Sequence, residues 1–486
     1  MRISRQGLML APESARVIIR PFIPPPNLIV STLGRALALE ESDVLQALEK
    51  VLAEFKDRHF AIEPLLLRNF EKVMSFLPEG VTPLSLSRER VLLIGALFSG
   101  EYALESAALF NPSIVPHPDQ TGVPEGGLRF IMSLRATGEG HISSIEFRAG
   151  MIAADGSIAL DHPSRFVTQP EIIPDPSYEK RSFRLKLAEM GVCEDMTHQV
   201  MAALDEHFTR SDLNRSVGTM RDENQPASHE LTHTLETIDW LADSNYEIRF
   251  SKDLAVSERI IFPVSANESN GIEDARFVRF IDDDGTVTYY ATYTAYNGHD
   301  ILPQMIQTKD FLHFHVLTLN GDAVQNKGMA LFPRKVGGRF AMLSRQDNEN
   351  LLIMFSDSPH HWSDPEIIMR PSMLWDLVKV GNCGSPIETE AGWLVLTHGV
   401  GPMRKYCIGA ILLDLEDPTK LIGALDRPLL SPEGKEREGY VPNVVYSCGG
   451  LIHGRELILP YAVSDLASSI ATVSLDDLLA ALTGTP

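Results

Sequence analysis

Apolar residues recur at helical spacing through the first quarter of the chain. The pattern runs through residues 37–55, 62–76 and 88–109, and the first of these segments carries acidic residues early, where the helix dipole favours them. This periodicity predicts an N-terminal helical region, which we place at residues 1–115.

The hydrophobic pattern changes at about Gly127. From there the chain consists mostly of short runs rich in β-branched and aromatic residues, and turn signals such as DDDG, NG and GG separate most of them. The runs include LRFIMSLRA, HISSIEFRAGMIA, ARFVRFI, TVTYYATYTAY, FLHFHVLTL, GWLVLTHGV, YCIGAILLDL, ELILPYAV and SSIATVSL. Many short strands are typical of a β-sandwich, barrel or propeller, which spacing alone does not separate. We predict a mainly-β domain at residues 116–486.

One segment interrupts the strand pattern. Residues 178–241 carry few strand signals, and the stretches SFRLKLAEMGVCEDMTHQVMAALDEHF and SHELTHTLETIDWLAD have helical periodicity. We therefore expect a helical insertion within the β domain.

The composition is typical of a globular protein, with 44% hydrophobic and 22% charged residues among 486. The formal net charge is −22, which repels polyanions, whereas binding a phosphate backbone needs clustered Lys and Arg. Nucleic acid is therefore excluded as a general partner, although a small anion can still bind in a local basic pocket.

The apolar runs and the cysteines bear on the cellular compartment. No apolar run approaches the roughly 20 residues of a membrane span, and the first residues lack the apolar stretch of a secretory signal. The four cysteines are scattered and form no CxxC pair, which favours reduced thiols. These features predict a cytoplasmic protein with no membrane partner.

A short motif in the predicted insertion, HELTH at residues 229–233, matches the HExxH pattern of zinc metalloproteases. On a helix the two imidazoles share a face, and the glutamate activates zinc-bound water. The pattern fixes only three positions, and the HxxGxxH continuation that supplies a third ligand is missing. We favour a surface helix with Leu235, Ile238 and Leu241 facing the β domain, and we predict no metal site.

Two adjacent carboxylates, Glu273 and Asp274, follow a glycine at the start of a predicted strand. Successive strand residues point to opposite faces, so one acid can enter a cleft while the other meets a partner. Arg276 lies two residues beyond Asp274, on the same side, where it can hold the charge of that carboxylate. Taken alone, the segment also fits a turn with an ion pair.

The sequence around these acids resembles glycoside hydrolase family 130. The family signature reads GxEDPR followed by a YYxTYTAYxGH strand. This chain has GIEDAR, with Ala275 in place of proline, followed by YYATYTAYNGH. Further matching stretches follow in the family's order: NK at 326–327, ALFPRKVGGRFAMLSR, GWLVLTHGV, IGAILLDLEDPTKLIG, GYVPNVVYSCGG and YAVSDLASSIATVSLDDLL. The resemblance covers residues 127–479 apart from the helical insertion.

The resemblance implies a five-bladed β-propeller with its active site in a central depression, and it places the helical insertion after the first blade. Members cleave β-mannosidic bonds with inversion; many are phosphorylases that form mannose 1-phosphate, and others are hydrolases. The family's catalytic acid falls on Asp274 and acts through a sugar hydroxyl. The implied partners are β-mannosides or manno-oligosaccharides and inorganic phosphate as a cosubstrate, with no metal or organic cofactor.

A phosphorylase needs one acid and a basic clamp, because phosphate is already an anionic nucleophile, whereas an inverting hydrolase needs a second carboxylate to activate water. By the resemblance, the positions that hold phosphate or sugar are Arg135, Arg276, Tyr296, Lys327, Arg345, His398 and Asp465. We therefore expect phosphorolysis. Family members often oligomerise, which makes a homo-oligomer compatible with the resemblance.

Two positions depart from the phosphorylase pattern. Leu302 stands where an arginine is usual, and Ser344 stands where a histidine is usual. Basic residues that are candidates to compensate are Arg148, Arg404 and Lys405.

These departures leave an inverting β-mannosidase on the same fold as the main alternative. In that enzyme Glu273, Asp465 or Glu349 would activate water. A non-catalytic sugar-binding propeller and the zinc protease are the remaining alternatives.

Overall fold

The computed structural model describes residues 2–224, 228–299 and 301–484, and the fold is mainly β, which confirms the predicted class. The α-helices in these residues are α1 (Pro26–Leu37), α2 (Glu41–Phe55), α3 (Ile62–Glu71), α4 (Arg88–Leu97), α5 (Lys180–Glu189), α6 (Glu194–Ala202), α7 (Arg210–Glu223), α8 (His229–Asp243) and α9 (Leu475–Thr483). The first strands are β1 (Ile3–Leu10), β2 (Val17–Pro21), β3 (Ser99–Ala103), β4 (Ala108–Pro116), β5 (Leu128–Thr137), β6 (Ser143–Ile152), β7 (Ile158–Leu160), β8 (Glu171–Ile172), β9 (Ser177–Glu179), β10 (His207–Thr209), β11 (Tyr246–Arg249) and β12 (Ile260–Ile261). The later strands are β13 (Gly271–Ile281), β14 (Val287–Tyr296), β15 (Ile301–Thr308), β16 (His313–Thr318), β17 (Ala330–Leu331), β18 (Phe340–Ser344), β19 (Leu351–Ser356), β20 (Glu366–Met369), β21 (Lys379–Asn382), β22 (Ile387–Thr389), β23 (Gly392–Val400), β24 (Tyr406–Leu413), β25 (Leu421–Ala424), β26 (Val445–Tyr446), β27 (Leu451–His453), β28 (Glu456–Val463) and β29 (Ala467–Ser474).

The main strands form antiparallel groups that follow one another along the chain, and we number them as sheets. Sheet 1 contains β4 to β7, sheet 2 contains β13 to β16 with β11 and β8 beyond β16, sheet 3 contains β17 to β20, sheet 4 contains β21 to β25, and sheet 5 contains β26 to β29. Sheets 1 and 2 are continuous through one parallel bridge between Ser143 and Gly271. Strand β1 completes sheet 5 by pairing with β29, where Ile3 lies opposite Val473.

Each sheet packs on the next one through shared buried apolar side chains. Representative members are Phe147 with Phe277 (sheets 1 and 2), Phe280 with Phe340 (2 and 3), Ile353 with Trp393 (3 and 4), Leu396 with Leu459 (4 and 5) and Ile470 with Met132 (5 and 1). A sheet covered on both faces has no solvent side, so its strands lack polar alternation. All nine residues of β23 are buried for this reason.

The N-terminal region contains strands as well as helices. Helices α1 to α4 lie within residues 26–97, whereas β1 belongs to sheet 5 and β4 crosses the predicted boundary at residue 115. Side chains of β1 alternate between half-buried and exposed, and its polar residues mask the strand pattern in the sequence. The division into two domains stays a prediction.

Between β8 and β11 the chain forms helices α5 to α8 around a hydrophobic cluster of their own. Helix α8 begins after Ser228, whose side chain accepts a hydrogen bond from the Leu231 backbone N–H. Helix α5 contacts sheet 2 through Lys186, whose ammonium donates to the Leu319 carbonyl at 2.9 Å. The group therefore packs on the β-sheets while keeping its own core.

In the described residues no helix is both long and apolar enough to span a membrane. All four cysteines lie in these residues as free thiols; Cys383, Cys407 and Cys448 are buried and Cys193 is half-buried.

Four charged side chains form a buried cluster where the N-terminal segment meets sheet 1: Arg16, Glu105, Glu146 and Arg148, each at most 3% exposed. Arg16 contacts Glu105 at 2.8 Å and Glu146 at 2.7 Å, and Arg148 contacts them at 2.6 and 3.0 Å. Burial and the neighbouring Glu146 carboxylate raise the pKa of Glu105 to about 8. Arg148, a candidate phosphate ligand by sequence, is engaged here instead.

Replacing Arg16 with Met removes the guanidinium that binds the buried Glu105 and Glu146 side chains. We expect the free energy of unfolding to fall by about 3–5 kcal/mol in urea titrations, because removing one partner of a buried ion pair leaves buried oxygen atoms without their hydrogen-bond donor. The control is Arg35→Met, on the exposed face of α1, which should change stability by less than about 0.5 kcal/mol. Equal losses in the two variants would contradict a structural role for the cluster.

Candidate active site

Strand β13 bends at a bulge that begins next to sheet 1. At Gly271 a Cβ would come within 2.6 Å of the Ser143 backbone nitrogen, and the residue has φ +129°. The pairing register with β14 shifts between Glu273 and Arg276, and Asp274 has φ +55°, in the left-handed region.

The bulge turns both carboxylates toward one cation. Arg135 donates to Glu273 at 2.9 Å and to Asp274 at 3.5 Å. The prediction that Glu273 and Asp274 face opposite sides is therefore wrong, because it assumed a regular strand.

Asp274 lies in a polar, largely buried setting. The Asn111 side-chain amide donates to its Oδ1 at 2.6 Å. Burial raises the pKa of Asp274, but the charges of Arg135 and Arg276 and the Asn111 hydrogen bond outweigh it, so the pKa lies below its usual range. The carboxylate is therefore ionised at neutral pH.

Asn111 is a site residue that the sequence analysis missed. It has φ +51° and stands in a register shift of β4, before Pro112. An Asn-Pro pair inside an apolar strand was the available signal, because such pairs mark turns and bulges.

Glu273 lies between two cations. One carboxylate oxygen accepts from Arg135, and the other pairs with the Lys327 ammonium. Arg135 also packs over the Phe110 ring at 5.1 Å and donates to the Ser143 hydroxyl at 2.9 Å. The predicted residues Arg135, Asp274 and Lys327 are thus brought together through Glu273.

Arg276 lies beneath Asp274, only 2% exposed. Its guanidinium donates to the Asp274 carbonyl at 3.0 Å, to the Cys383 carbonyl at 3.0 Å and to the Tyr446 hydroxyl at 2.7 Å. These bonds connect sheet 2 to residues of sheets 4 and 5 or next to them. The N–H groups of the Arg276 guanidinium thus donate to protein oxygens.

Arg345 and His398 form a buried pair next to the backbone of Lys327. Arg345 donates to His398 Nε2 at 3.1 Å and to the Lys327 carbonyl at 3.3 Å. Because a guanidinium only donates, Nε2 must accept, and the imidazole proton lies on Nδ1, which donates to the Asn382 carbonyl at 3.2 Å. Burial and the Arg345 charge lower the pKa of His398 well below its usual value, so the ring is neutral.

Arg345 itself is a buried cation without a counter-ion. Its exposed fraction is 9%, and no carboxylate of the described residues forms an ion pair with it. At Gly381 a Cβ would come within 2.7 Å of the His398 ring and 3.1 Å of the Arg345 side chain. Glycine at 381 therefore leaves room for the pair.

Asp465 lies in the turn between β28 and β29, with φ +51°. Burial and the nearby Asp274 charge raise its pKa to about 6, against the opposing charges of Arg135 and Arg404. Arg404, which the sequence analysis named as a possible replacement cation, thus acts electrostatically on a carboxylate beside Asp274.

The remaining predicted positions lie at or beyond the edge of this cluster. The Tyr296 ring is half-buried at the end of β14, and its hydroxyl donates to the Gly298 carbonyl at 3.0 Å. Glu349 is exposed on the turn between β18 and β19. At the two departures from the family pattern, Leu302 pairs with Ala295 in sheet 2, and the Ser344 hydroxyl donates to a glutamine at 2.9 Å.

The HExxH motif lies on α8, in the helical group, and is not part of this cluster of side chains. His229, Glu230 and His233 are exposed, while Leu235 and Ile238 are buried in the core of the helical group. Across the part of the chain that the structure describes, no three His, Cys, Asp or Glu side chains are grouped to hold a metal ion.

Comparison with known families assigns the chain to one of them. The Glyco_hydro_130 family model, described as β-1,4-mannooligosaccharide phosphorylase, matches residues 231–483, more than half of the chain. The chain belongs to glycoside hydrolase family 130. It is an enzyme of that family, a glycoside phosphorylase or glycoside hydrolase. The match includes Asp274, Lys327, Arg345 and His398, and it begins after Arg135.

The chain is also similar to individual known proteins. The chain is 35% identical over 237 residues to a 1,2-β-oligomannan phosphorylase of Thermoanaerobacter sp. (strain X514), covering 47% of this chain and 78% of that protein. It is 30% identical over 314 residues to a β-1,2-mannobiose phosphorylase of Listeria innocua serovar 6a, covering 61% and 85%. The solved structure of a Listeria innocua β-1,2-mannobiose phosphorylase with β-1,2-mannobiose aligns with a TM-score of 0.46 at 21% identity, over 77% of this chain and 92% of that one.

Asp465→Asn should stabilise this family 130 protein at neutral pH. The folded pKa of about 6 exceeds the ordinary value of 3.8, so the fold opposes ionisation of Asp465. The cost is absent at low pH, grows as pH rises toward 6 and is constant above it. We expect the substitution to raise the free energy of unfolding by on the order of 2–3 kcal/mol at pH 7.5 and by about 1 kcal/mol at pH 4.5.

Urea titrations at the two pH values measure this difference. The matched control is Asp57→Asn, because Asp57 is exposed beyond the end of α2. If the increase in the free energy of unfolding for Asp465→Asn does not depend on pH, the fold does not oppose ionisation of the Asp465 carboxyl group.

Proposed function

We propose that this enzyme cleaves β-mannosidic bonds by phosphorolysis with inversion, releasing α-mannose 1-phosphate. The observation that carries the proposal is the buried, unpaired guanidinium of Arg345, which lies beside Lys327 and the neutral His398. A buried cation without a counter-ion is costly, and a bound phosphate supplies that counter-ion through charge-assisted hydrogen bonds.

In the proposed reaction a phosphate oxygen forms a bond to the anomeric carbon from the face opposite the leaving group. The glycosidic C–O bond breaks, its electron pair goes to the leaving oxygen, and that oxygen takes up the proton that Asp274 supplies. Lys327 and Arg345 hold the phosphate charge. No general base is needed, because the nucleophile is already an anion.

Phosphate binding also explains how an ionised Asp274 becomes an acid. In the ligand-free protein the charges of Arg135 and Arg276 keep its pKa low. Phosphate brings negative charge to the neighbouring cations, and a like charge raises the pKa of a carboxyl group. We propose that Asp274 takes up its proton as phosphate binds.

Arg276 and Asn111 act as positioning residues in this proposal. Arg276 holds the backbone of Asp274, and Asn111 holds its side chain. The side-chain oxygen of Asn111 is buried without a hydrogen-bond partner, which supports a role in accepting a hydrogen bond from a hydroxyl of the bound sugar.

One observation favours hydrolysis as the second candidate function. Among the carboxylates considered as a water-activating base, Glu273 is held by two cations and Glu349 is exposed. Asp465 has neither restriction, and its pKa of about 6 suits a general base. An inverting β-mannosidase would therefore use Asp274 and Asp465.

The ring-like order of packing supports a five-bladed β-propeller. Sheet 1 packs on sheet 2 and so on to sheet 5, which packs back on sheet 1. We propose that the five sheets are its blades, that α5 to α8 are inserted after the first blade, and that α1 to α4 form the accessory region of the two-domain division. The cytoplasmic location and homo-oligomer stay predictions.

For the linkage we propose β-1,2-linked manno-oligosaccharides. The two relatives compared above are named for β-1,2 substrates, whereas the family model is named for β-1,4-mannooligosaccharides. An assay of this enzyme should therefore compare β-1,2- and β-1,4-linked substrates directly.

Phosphate-dependent release of mannose 1-phosphate from β-1,2-mannobiose tests the function. We expect Asp274→Asn to lower the rate by about 10²–10⁴-fold, because it removes the acid. Arg345→Met should raise KM for phosphate by about 10–100-fold, the loss of one or two charge-assisted hydrogen bonds.

The matched control for Arg345→Met is Arg339→Met, an exposed arginine next to β18 whose loss should leave KM for phosphate unchanged. Free mannose formed at equal rates with and without phosphate would establish hydrolysis and make Asp465 the base. Turnover of β-1,4-mannobiose in preference to the β-1,2 isomer would reverse the linkage proposal.

Phosphate binding should be accompanied by proton uptake. Calorimetric titration with phosphate in buffers of different ionisation enthalpy measures the number of protons taken up. We expect more uptake by the native protein than by Asp274→Asn at the same pH, since asparagine cannot titrate. Equal proton uptake in the two proteins would show that phosphate does not set the charge of Asp274.

A further inference from the structure

Two turns, one from sheet 1 and one from sheet 5, form an edge of the candidate active site. The β5–β6 turn follows the strand of Arg135 and leads into Ser143, whose hydroxyl accepts a hydrogen bond from that arginine. The β28–β29 turn carries Asp465, whose carboxylate interacts electrostatically with Arg135 and Asp274. Both turns therefore lie next to the residues that surround the proposed acid.

The segment that leads into β26 lies over the β28–β29 turn. Val441 N–H donates to the Ser464 carbonyl at 3.0 Å, and Ser464 N–H donates to the Val444 carbonyl at 2.8 Å. A Cβ at Gly439 would come within 2.6 Å of the Ser464 Cβ, so the segment approaches the turn closely. These contacts on both sides hold the backbone of Tyr440 at the edge of the site.

An aromatic pair joins this segment to the β5–β6 turn. The Tyr440 side chain is 65% exposed, and its ring lies 5.6 Å from the ring of His141, at an interplanar angle of 34°. His141 is exposed as well. The pair of His141 and Tyr440 therefore presents aromatic surface to the solvent beside the candidate active site.

The backbone of His141 is in a strained conformation. Its φ is +60°, and Gly140 before it has φ +67°. Glycine adopts this left-handed conformation at a lower cost than a residue with a side chain. Backbone strain of this kind is concentrated at functional sites, where the side chain has a role that offsets the cost. The exposed imidazole adds no core packing that would offset it.

Two exposed rings at the edge of a site suit the binding of a sugar. The carbon–hydrogen face of a pyranose is apolar and packs on aromatic surface, and the polar tips of Tyr and His form hydrogen bonds with sugar hydroxyl groups. Burying such surface contributes binding energy in proportion to the apolar area removed from water.

We propose that His141 and Tyr440 bind the sugar of the leaving group, beyond the bond that is cleaved. The proposal rests on the phosphorolysis proposed above, in which phosphate and the leaving group lie on opposite faces of the anomeric carbon. Lys327 and Arg345, the proposed phosphate ligands, stand next to strands β17 and β18 of sheet 3, whereas the aromatic pair belongs to the turns and segments of sheets 1 and 5. Different sheets thus serve the two sides of the reacting carbon.

The reverse reaction tests the proposal, because mannose 1-phosphate and the acceptor mannose then bind as separate substrates with separate KM values. Tyr440→Ala should raise KM for mannose about tenfold, through the loss of one stacked ring. KM for mannose 1-phosphate and kcat should stay within about twofold of the native values. His141→Asn, which tolerates the left-handed backbone, should act in the same direction. An unchanged KM for mannose, or equal increases in both KM values, would overturn the proposal.

The matched control is Phe60→Ala. Phe60 is 55% exposed, and its ring packs on the Phe166 ring at 4.8 Å, so it forms an exposed aromatic pair of the same kind in front of α3. Its loss should leave both KM values unchanged. Tyr440→Phe keeps the ring and should keep KM for mannose within about threefold of the native value. A KM for Tyr440→Phe as high as that for Tyr440→Ala would contradict stacking on the ring.

Binding without turnover separates this proposal from the proposed function. Asp274→Asn lacks the acid and should bind mannobiose intact, so calorimetry with the β-1,2 and β-1,4 isomers measures Kd. Adding Tyr440→Ala should raise Kd of the tighter-binding isomer about tenfold. An unchanged Kd would overturn the role of the aromatic pair and leave phosphorolysis standing. If neither isomer binds to Asp274→Asn, the proposed substrate class is wrong, and this proposal is wrong with it.

Discussion

The candidate site depends on how closely β13 approaches β6. At Gly271 the two strands are near enough that a Cβ on residue 271 would overlap the Ser143 backbone, and in the described residues they are joined by this one bridge. The bulge that follows gives Asp274 a positive φ, which costs energy in a residue with a side chain. Asn111 and Arg276 offset that cost by holding the Asp274 side chain and carbonyl.

The supports of Asp274 come from different parts of the chain. Asn111 belongs to sheet 1, whereas Arg276 is itself held by the Cys383 carbonyl and the Tyr446 hydroxyl, near sheets 4 and 5. The geometry of the acid is thus a product of the assembled sheets and cannot exist in one of them alone.

The cations of the candidate site are in two different states. Arg135 and Lys327 are paired with carboxylates, while the hydrogen bonds of Arg345 go to the neutral His398 ring and the Lys327 carbonyl. In a chain with a net charge of −22, Arg345 thus provides a local position that attracts an anion.

The sequence predicted those parts of this structure that depend on local residue patterns. Runs of apolar β-branched residues gave most strands of the sheets, and the family-like motifs located Asp274, Lys327, Arg345 and His398. It could not predict the bulge, because the residues of a regular strand and of a bulged one differ only in backbone angles. Asn111 was missed because its partner is distant in sequence, and β1 was missed because its polar residues resemble a surface segment. Which cation is paired and which is free depends on three-dimensional distances that no motif contains.

The pairing of β1 with β29 has a consequence for biosynthesis. Strand β1 (Ile3–Leu10) has β29 (Ala467–Ser474) as its partner, so this partner is synthesised only after strands β2 to β28. Until β29 has been synthesised, β1 cannot form this pairing and sheet 5 stays incomplete. During that interval the nascent chain presents unpaired strand edges, which are templates for association with other chains. We therefore expect that slower synthesis of the segment between β1 and β29 lengthens the time in which β1 can associate with other chains.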